Sequence, residues 1–146
     1  MFKGITYHSM DCKGRVILPQ KFRDELGESF CITYGFPNEF GKKYRCLQIM
    51  SHDEFERLRL QIKALPAKST LALQYIIVAP ATDVSPNSQG RIQIPQALRE
   101  GVGLDKELVV LGMDSRIEIW DKDLYEEFRE LSMDASCLDA MELLRL

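Results

Sequence analysis

Residues 11–27, DCKGRVILPQKFRDELG, and residues 87–104, NSQGRIQIPQALREGVGL, repeat one phrase. Gly14 and Arg15 match Gly90 and Arg91, and Val16 and Leu18 match Ile92 and Ile94. Pro19 and Gln20 match Pro95 and Gln96, then Phe22 and Arg23 match Leu98 and Arg99. Arg15 to Arg91 and Arg23 to Arg99 are the same step of 76 positions, so gaps do not create the match. The echo resumes at Leu47-Gln48-Ile49-Met50 against Ile117-Glu118-Ile119-Trp120, now 70 positions apart. On that spacing the first copy carries six extra residues, placed within residues 37–44. A repeated unit too small to bury its own apolar face predicts that the copies pair or stack.

Each copy reads as strand, short helix, strand, strand, helix. Arg15-Val16-Ile17-Leu18 is apolar and β-branched after a turn glycine. Pro19 stops that strand and suits the first position of a helix, where its missing N–H costs nothing. Phe22 and Leu26 then share a face, and Gly27 offers a left-handed C-cap. Pro95, Leu98, Val102 and Gly103 repeat this. Strands are predicted over residues 30–34, 45–50, 108–112 and 116–120, with a long polar loop at 36–44 and a tight hairpin at Met113-Asp114-Ser115. Ser51-His52-Asp53-Glu54 fits a capping box that opens an amphipathic helix with Phe55, Leu58, Ile62 and Leu65 on one stripe, ended by Pro66. Asp121 is the matching N-cap, with Leu124, Phe128 and Leu131 on the apolar face. Residues 69–77 fit either an alternating strand or a short helix, and 138–146 are weakly helical. The expected class is mainly β with short helices (α+β). The expected units are a first repeat over 1–66 with its helix, a connector at 67–78, a second repeat over 79–131 with its helix, and a C-terminal tail at 132–146.

The 146 residues are 45% hydrophobic and 28% charged, ordinary for a soluble globular chain. Nothing at the N-terminus reads as a signal peptide, and the longest apolar stretch, residues 71–81, is interrupted by Gln74 and Pro80. A soluble, cytoplasmic protein without a membrane partner is expected. Cys12, Cys31, Cys46 and Cys137 show no CxxC spacing, and His8 and His52 are the only histidines. Reduced structural thiols are therefore expected, with no metal and no cofactor.

A net charge of −3 argues against an anionic partner until its distribution is read. Residues 1–23 hold Lys3, Lys13, Arg15, Lys21 and Arg23 against Asp11, while residues 121–146 hold eight acids against three bases. A basic head suits an anionic partner and an acidic tail suits solvent. Two unrelated solvated surfaces fit the charges equally well.

The shared phrase is Asp/Asn-x-x-Gly-Arg-φ-x-φ-Pro, with φ aliphatic. Asp11 and Asn87 can fold back as Asx-turns, and Gly14 and Gly90 permit positive φ. Each arginine then leaves a rigid turn, and a rigid guanidinium matches a guanine O6/N7 edge or a phosphate. An Asp11–Arg15 pair that merely closes the turn is the competing reading.

The N-terminal MFKGITYHSMDCKGRVILPQKFRDELG, the second SQGRIQIP and the later RIEIWD resemble the MraZ family of bacterial transcriptional regulators, named from the division and cell-wall gene cluster. The match runs from Met1 to about Phe128. It implies an AbrB/MazE-like swapped-hairpin (double-split) β-barrel formed by two tandem copies in one chain, and assembly into homo-oligomeric rings. It implies a nucleoid-associated regulator of its own gene cluster that binds short direct G-rich repeats in double-stranded DNA. The family's Asp-x-x-x-Arg motif falls on Asp11 and Arg15. In the second copy Arg91 is kept but Asn87 stands for the aspartate, and an amide cannot neutralise the arginine. The DNA-binding set is thus Arg15, Asp11, Lys13, Gly14, Lys3, Lys21, Arg23 and Arg91. A ring would let weak contacts to successive repeats add through effective concentration.

An enzyme is the first rival. No GxSxG elbow, Walker loop or HExxH helix occurs, and Gly101-Val102-Gly103 reads as a helix end, not a dinucleotide site. Neither a catalytic residue nor a small-molecule substrate is expected. The second rival is an antitoxin-like or oligomeric protein-interaction module in which DNA binding is secondary.

Overall fold

Residues 1–35 and 43–145 are described by a computed structural model. Along the chain run β1 (Phe2–Ser9), β2 (Arg15–Ile17), α1 (Gln20–Leu26), β3 (Phe30–Tyr34), β4 (Leu47–Met50) and α2 (His52–Lys63). Then come α3 (Ala67–Leu73), a π-helical turn (Gln74–Val78), β5 (Thr82–Val84), β6 (Arg91–Gln93) and α4 (Gln96–Gly101). β7 (Glu107–Asp114), β8 (Arg116–Asp121), α5 (Lys122–Ser132) and α6 (Ala135–Glu142) complete the order.

The strands form a mixed α+β fold by exchange. The six-stranded sheet has the order β1-β7-β8-β4-β3-β5, and β2 pairs with β6 in a separate ribbon. β1 of the first copy lies against β7 of the second, with Thr6 opposite Val110, while β5 of the second lies against β3 of the first, with Thr82 opposite Ile32. β4 meets β8 with Gln48 opposite Glu118, and β2 meets β6 with Val16 opposite Ile92. Those two central pairs lie on a pseudo-twofold axis that interchanges the copies. β1 and β5 remain the sheet's outer strands, so the ladder is open and not the closed barrel that the resemblance implied. Each outer strand has one edge taken by the opposite copy, and the ribbon with α1 and α4 contributes its apolar residues to the core.

The core lies between one sheet face and the ribbon with α1 and α4. Val16, Leu18, Phe22, Leu26 and their counterparts Ile92, Ile94, Leu98 and Val102 meet Phe30, Ile32, Leu47, Ile49, Leu108, Val110, Ile117 and Ile119. Interleaving makes each copy's apolar face the other's partner, as a unit of that size requires. On the opposite face, Trp120 is buried with Tyr44, Cys46, Val109 and Leu111 beneath Leu124, Tyr125 and Phe128 of α5. Its ring stacks on Phe128 at 4.8 Å, and its Nε1 donates to Glu118 at 3.0 Å.

Local signals placed most elements and missed others. Ser51 accepts from the Glu54 N–H at 3.1 Å and Asp121 from the Leu124 N–H at 3.4 Å, as N-caps should. The Glu54 carboxylate instead takes Arg57 at 3.3 Å. Pro19 and Pro95 are themselves the N-cap residues, one position earlier than expected. Gly27 takes positive φ (86°), but its ψ of −163° sends the chain out extended instead of into a left-handed cap. Gly103 closes α4 with φ 66°; its N–H reaches Glu100, and that of Leu104 reaches the Arg99 carbonyl. Residues 69–77 resolve as helix, because Thr70 Oγ1 donates to the Ile62 and Leu65 carbonyls and ties α3 back to α2. Leu65 and Leu131 fall off their predicted stripes and are exposed. The tail's helix starts earlier than expected, at Ala135 with Asp134 as its cap.

β1 and β5 were not anticipated. β1 carries Lys3, Gly4, Ile5, Thr6 and Tyr7, which offer no clean inside–outside alternation, and β5 is three residues long. The loop count also changes. Ile32 and Val110 are equivalent and 78 positions apart, while Ile49 and Ile119 are 70 apart. The first copy therefore has eight extra residues between β3 and β4, and the second has two extra before β7. Most of the segment expected to hold the insertion, residues 36–42, lies outside the described residues.

Candidate nucleic-acid interface

The turn before β2 closes on its own aspartate. Asp11 Oδ1 accepts the Lys13 and Arg15 backbone N–H groups at 3.0 and 2.9 Å, and the Gly14 N–H donates to the Asp11 carbonyl at 3.0 Å. Gly14 has φ 80° and Gly90 has φ 78°, a region that residues with a Cβ rarely enter. Asp11 Oδ2 takes Arg15 Nε at 2.7 Å. The Arg15 backbone N–H is the chief cause holding the Asp11 carboxyl below its ordinary range; burial opposes it, and the guanidinium and the Lys13 N–H reinforce it. In the second turn Asn87 Oδ1 makes the same two backbone bonds, to Gln89 at 2.9 Å and Arg91 at 3.0 Å. Among the described residues, the Arg91 guanidinium has no hydrogen-bond or ion-pair partner.

The ribbon joins the two turns. Arg15 pairs with Gln93 and Ile17 with Arg91, so these four residues share one face while Val16 and Ile92 bury the other. Arg15 and Arg91 are diagonal neighbours on that face, a spacing of about 7–8 Å. Ile17 lies opposite Arg91 and two residues along β2 from Arg15, and is 44% exposed. Gln93 Nε2 donates to the Lys13 carbonyl at 3.2 Å, which ties β6 to the first turn. Sequence reasoning missed Ile17 and Gln93 because their placement on the arginine face follows from the β2–β6 register.

The remaining predicted site residues divide. Lys3 and Lys21 meet each other: Lys21 Nζ donates to the Lys3 carbonyl at 3.1 Å. Lys3 is six residues along β1 from Ser9, about 20 Å of extended strand from the turn. Lys13 is exposed beside Arg15. Arg23 does not lie with its own copy's turn. Its Nε donates to the Leu18 carbonyl at 2.9 Å, and a Cβ placed on Gly90 would meet its Cζ at 2.7 Å.

Other chemistry is sparse. Among the described residues no three His, Cys, Asp or Glu side chains are grouped to hold a metal ion, and no helix is long and apolar enough to cross a membrane. Burial pushes the Cys31 thiol up to about 11 and raises Cys46 as well, while Cys12 is exposed. Ser29, His52 and Asp83 line up like a hydrolytic triad, with Ser29 Oγ 3.0 Å from His52 Nε2. Asp83 is 3.8 Å from His52 Nδ1 and its side chain is 76% exposed, so it cannot orient the imidazole as a buried carboxylate would.

The chain matches the family model described as "MraZ protein, putative antitoxin-like" over residues 1–72 and 77–145. It is 42% identical over 130 residues to a protein of Acetivibrio thermocellus named transcriptional regulator MraZ, covering 88% of this chain and 86% of that one. Proteins of the same name from Caldanaerobacter subterraneus and Lachnoclostridium phytofermentans are 39% and 42% identical, covering 93% and 92% of this chain and 91% of each relative. With both glycine–arginine turns inside the matched residues, the chain belongs to the MraZ family.

Proposed function

We propose that this chain is a sequence-specific DNA-binding transcriptional regulator, not an enzyme, acting in the cytoplasm at the nucleoid on its own division and cell-wall gene cluster. The observation that carries the reading is the ribbon face bearing Arg15 and Arg91 on diagonal positions, one clamped by Asp11 and the other unclamped. A two-stranded ribbon is of a size that the major groove, about 12 Å wide, admits. A diagonal of about 7–8 Å spans roughly two base-pair steps. Arg15 and Arg91 read guanine edges with Gly14 shaping the turn, and Lys13 holds a backbone phosphate. Lys3 and Lys21 reach phosphates farther along the duplex, and Arg23 adds to the positive field. The names of the relatives support regulation of transcription.

The repeats at 1–66 and 79–131, with a connector at 67–78 and a tail at 132–146, form one intertwined unit of swapped-hairpin ancestry. Several copies in a ring engage short direct G-rich repeats, so modest single-site affinities multiply. The antitoxin-like, protein-binding reading is favoured by one observation, the exposed Leu138, Met141, Leu143 and Leu144 of the tail. A gel-shift titration of the region upstream of the chain's own gene, at several salt concentrations, separates the two readings. A regulator gives a steep inverse salt dependence and survives competition by random duplex. Random duplex that competes as effectively as unlabelled operator would refute sequence-specific regulation.

A further inference from the structure

We propose that each DNA-facing turn is assembled from both copies. Arg99 of the second copy is the positioning residue for the turn that carries Arg15, and Arg23 of the first copy is the positioning residue for the turn that carries Arg91. The inference rests on the DNA-binding reading above; it adds Arg99 and gives Arg23 a further role, each acting through another residue.

A Cβ placed on Gly14 would lie 2.5 Å from both Nε and Cζ of Arg99 and 2.8 Å from an Nη, so the guanidinium lies directly against the bare glycine. Arg99 is anchored there: its Nε donates to the Ile94 carbonyl at 3.0 Å. Ile94 in turn donates its N–H to the Gly14 carbonyl at 2.9 Å. The Gly14 peptide is thus held by one strand of the opposite copy and covered by that copy's helix. The pseudo-twofold repeats every part of the device. Arg23 Nε donates to the Leu18 carbonyl at 2.9 Å, the Leu18 N–H donates to the Gly90 carbonyl at 3.1 Å, and the Arg23 guanidinium covers Gly90. The helix ends hold both arginines in place, since the Leu104 and Gly27 N–H groups bond the Arg99 and Arg23 carbonyls, each at 3.0 Å.

The physical consequence is directional. Glycine in this region has no side chain to restrict it, and a flat, half-buried guanidinium supplies the missing wall. Removing Arg99 loosens the Gly14 turn and blurs the direction in which Arg15 points, leaving the Gly90 turn intact. A lysine cannot substitute, because an ammonium on a flexible stem has neither the plane nor the Nε–H.

The test is a crossed set of double variants in the full chain, with a duplex selected by the wild-type protein from a random pool. Arg99→Ala is expected to weaken binding roughly tenfold, within the range that coupled neighbours give. It should have little further effect in an Arg15→Ala background and its full effect in an Arg91→Ala background. Arg23→Ala should show the reverse pairing. The salt slope should stay at the wild-type value for Arg99→Ala, where loss of a direct phosphate contact would lower it by about one. Without DNA, Arg99→Ala should shift the Gly14 amide resonance and spare that of Gly90. Arg99→Lys should behave as Arg99→Ala. Equal losses in both backgrounds, a reduced salt slope, or an unmoved Gly14 resonance would each overturn the proposal. If no duplex is selected, or Arg15→Ala and Arg91→Ala both bind like wild type, the DNA-binding reading fails and takes the positioning role with it. The resonance result would then still decide the crossed packing.

Discussion

Asp11 grips Arg15 at two points, taking its backbone N–H on one carboxylate oxygen at 2.9 Å and its Nε on the other at 2.7 Å. Asn87 grips Arg91 only through the backbone, at 3.0 Å. The same turn therefore presents one guanidinium in a fixed direction and a second that is unclamped. Asp11→Asn should make the first turn resemble the second. The turn survives because the amide oxygen keeps both backbone bonds, but the clamp and one negative charge are lost. Non-specific DNA affinity should rise while the ratio of specific to non-specific binding falls, roughly tenfold, since a preorganised bidentate contact discriminates by about 1–3 kcal/mol. Titrations against operator and random duplex at one salt concentration check this.

Arg15→Ala should cut operator affinity about ten- to a hundredfold, the roughly 1–3 kcal/mol of a bidentate base contact, leaving measurable binding with the fold and assembly intact. Arg15→Lys should fail as well, because a point charge does not replace the fork. Near wild-type operator affinity for Arg15→Ala would remove this residue from the site.

The clamp has an acid limit. The Asp11 carboxyl is held below its ordinary value of 3.8 in the folded chain, so its contribution to stability is fully present above the unfolded value and is lost as pH falls through the lower, folded one. The Arg15 Nε–H resonance should therefore be constant from neutral pH down to about 5 and move only below the ordinary carboxylate range. Asp11→Asn should remove that transition; a transition near neutral pH would show that another group controls the clamp.

Trp120 is 3% exposed, and its indole both stacks on Phe128 and donates to Glu118. Trp120→Ala should cost about 3–5 kcal/mol, read as a lower denaturant midpoint. Trp120→Phe keeps a ring but leaves the buried Glu118 oxygen without this donor, for a loss of about 1–3 kcal/mol. An unchanged midpoint for the alanine variant would show that the ring does not brace α5.

Lys13 and Gln89 occupy equivalent positions with different charge. Lys13→Ala should weaken binding to all sequences and flatten the salt slope by about one, and Gln89→Ala should do neither. Arg91→Ala should cost less operator affinity than Arg15→Ala. Equal costs in an intact assembly would show that the unclamped, less basic second turn contributes as much to DNA affinity as the first.

Local chemistry was readable from residue order alone. Gly14, Gly90, Pro19, Pro95, Ser51 and Asp121 each act on the backbone within about four positions, so the turns, helix starts and Asp11–Arg15 spacing followed directly from sequence. The repeat likewise predicted that the copies must cover each other's apolar faces, and the shared core of Phe22, Leu98, Ile32 and Val110 does so. Tertiary structure alone decided which strand crosses to which copy. β1 reaches β7 about a hundred residues away, and strand pairing depends on cross-strand packing that no local propensity records. It also decided that Arg23, which reads as part of the first turn's basic cluster, rests on Gly90 of the second. A side chain's sequence neighbours determine where it starts; only the packed core determines which glycine its far end covers.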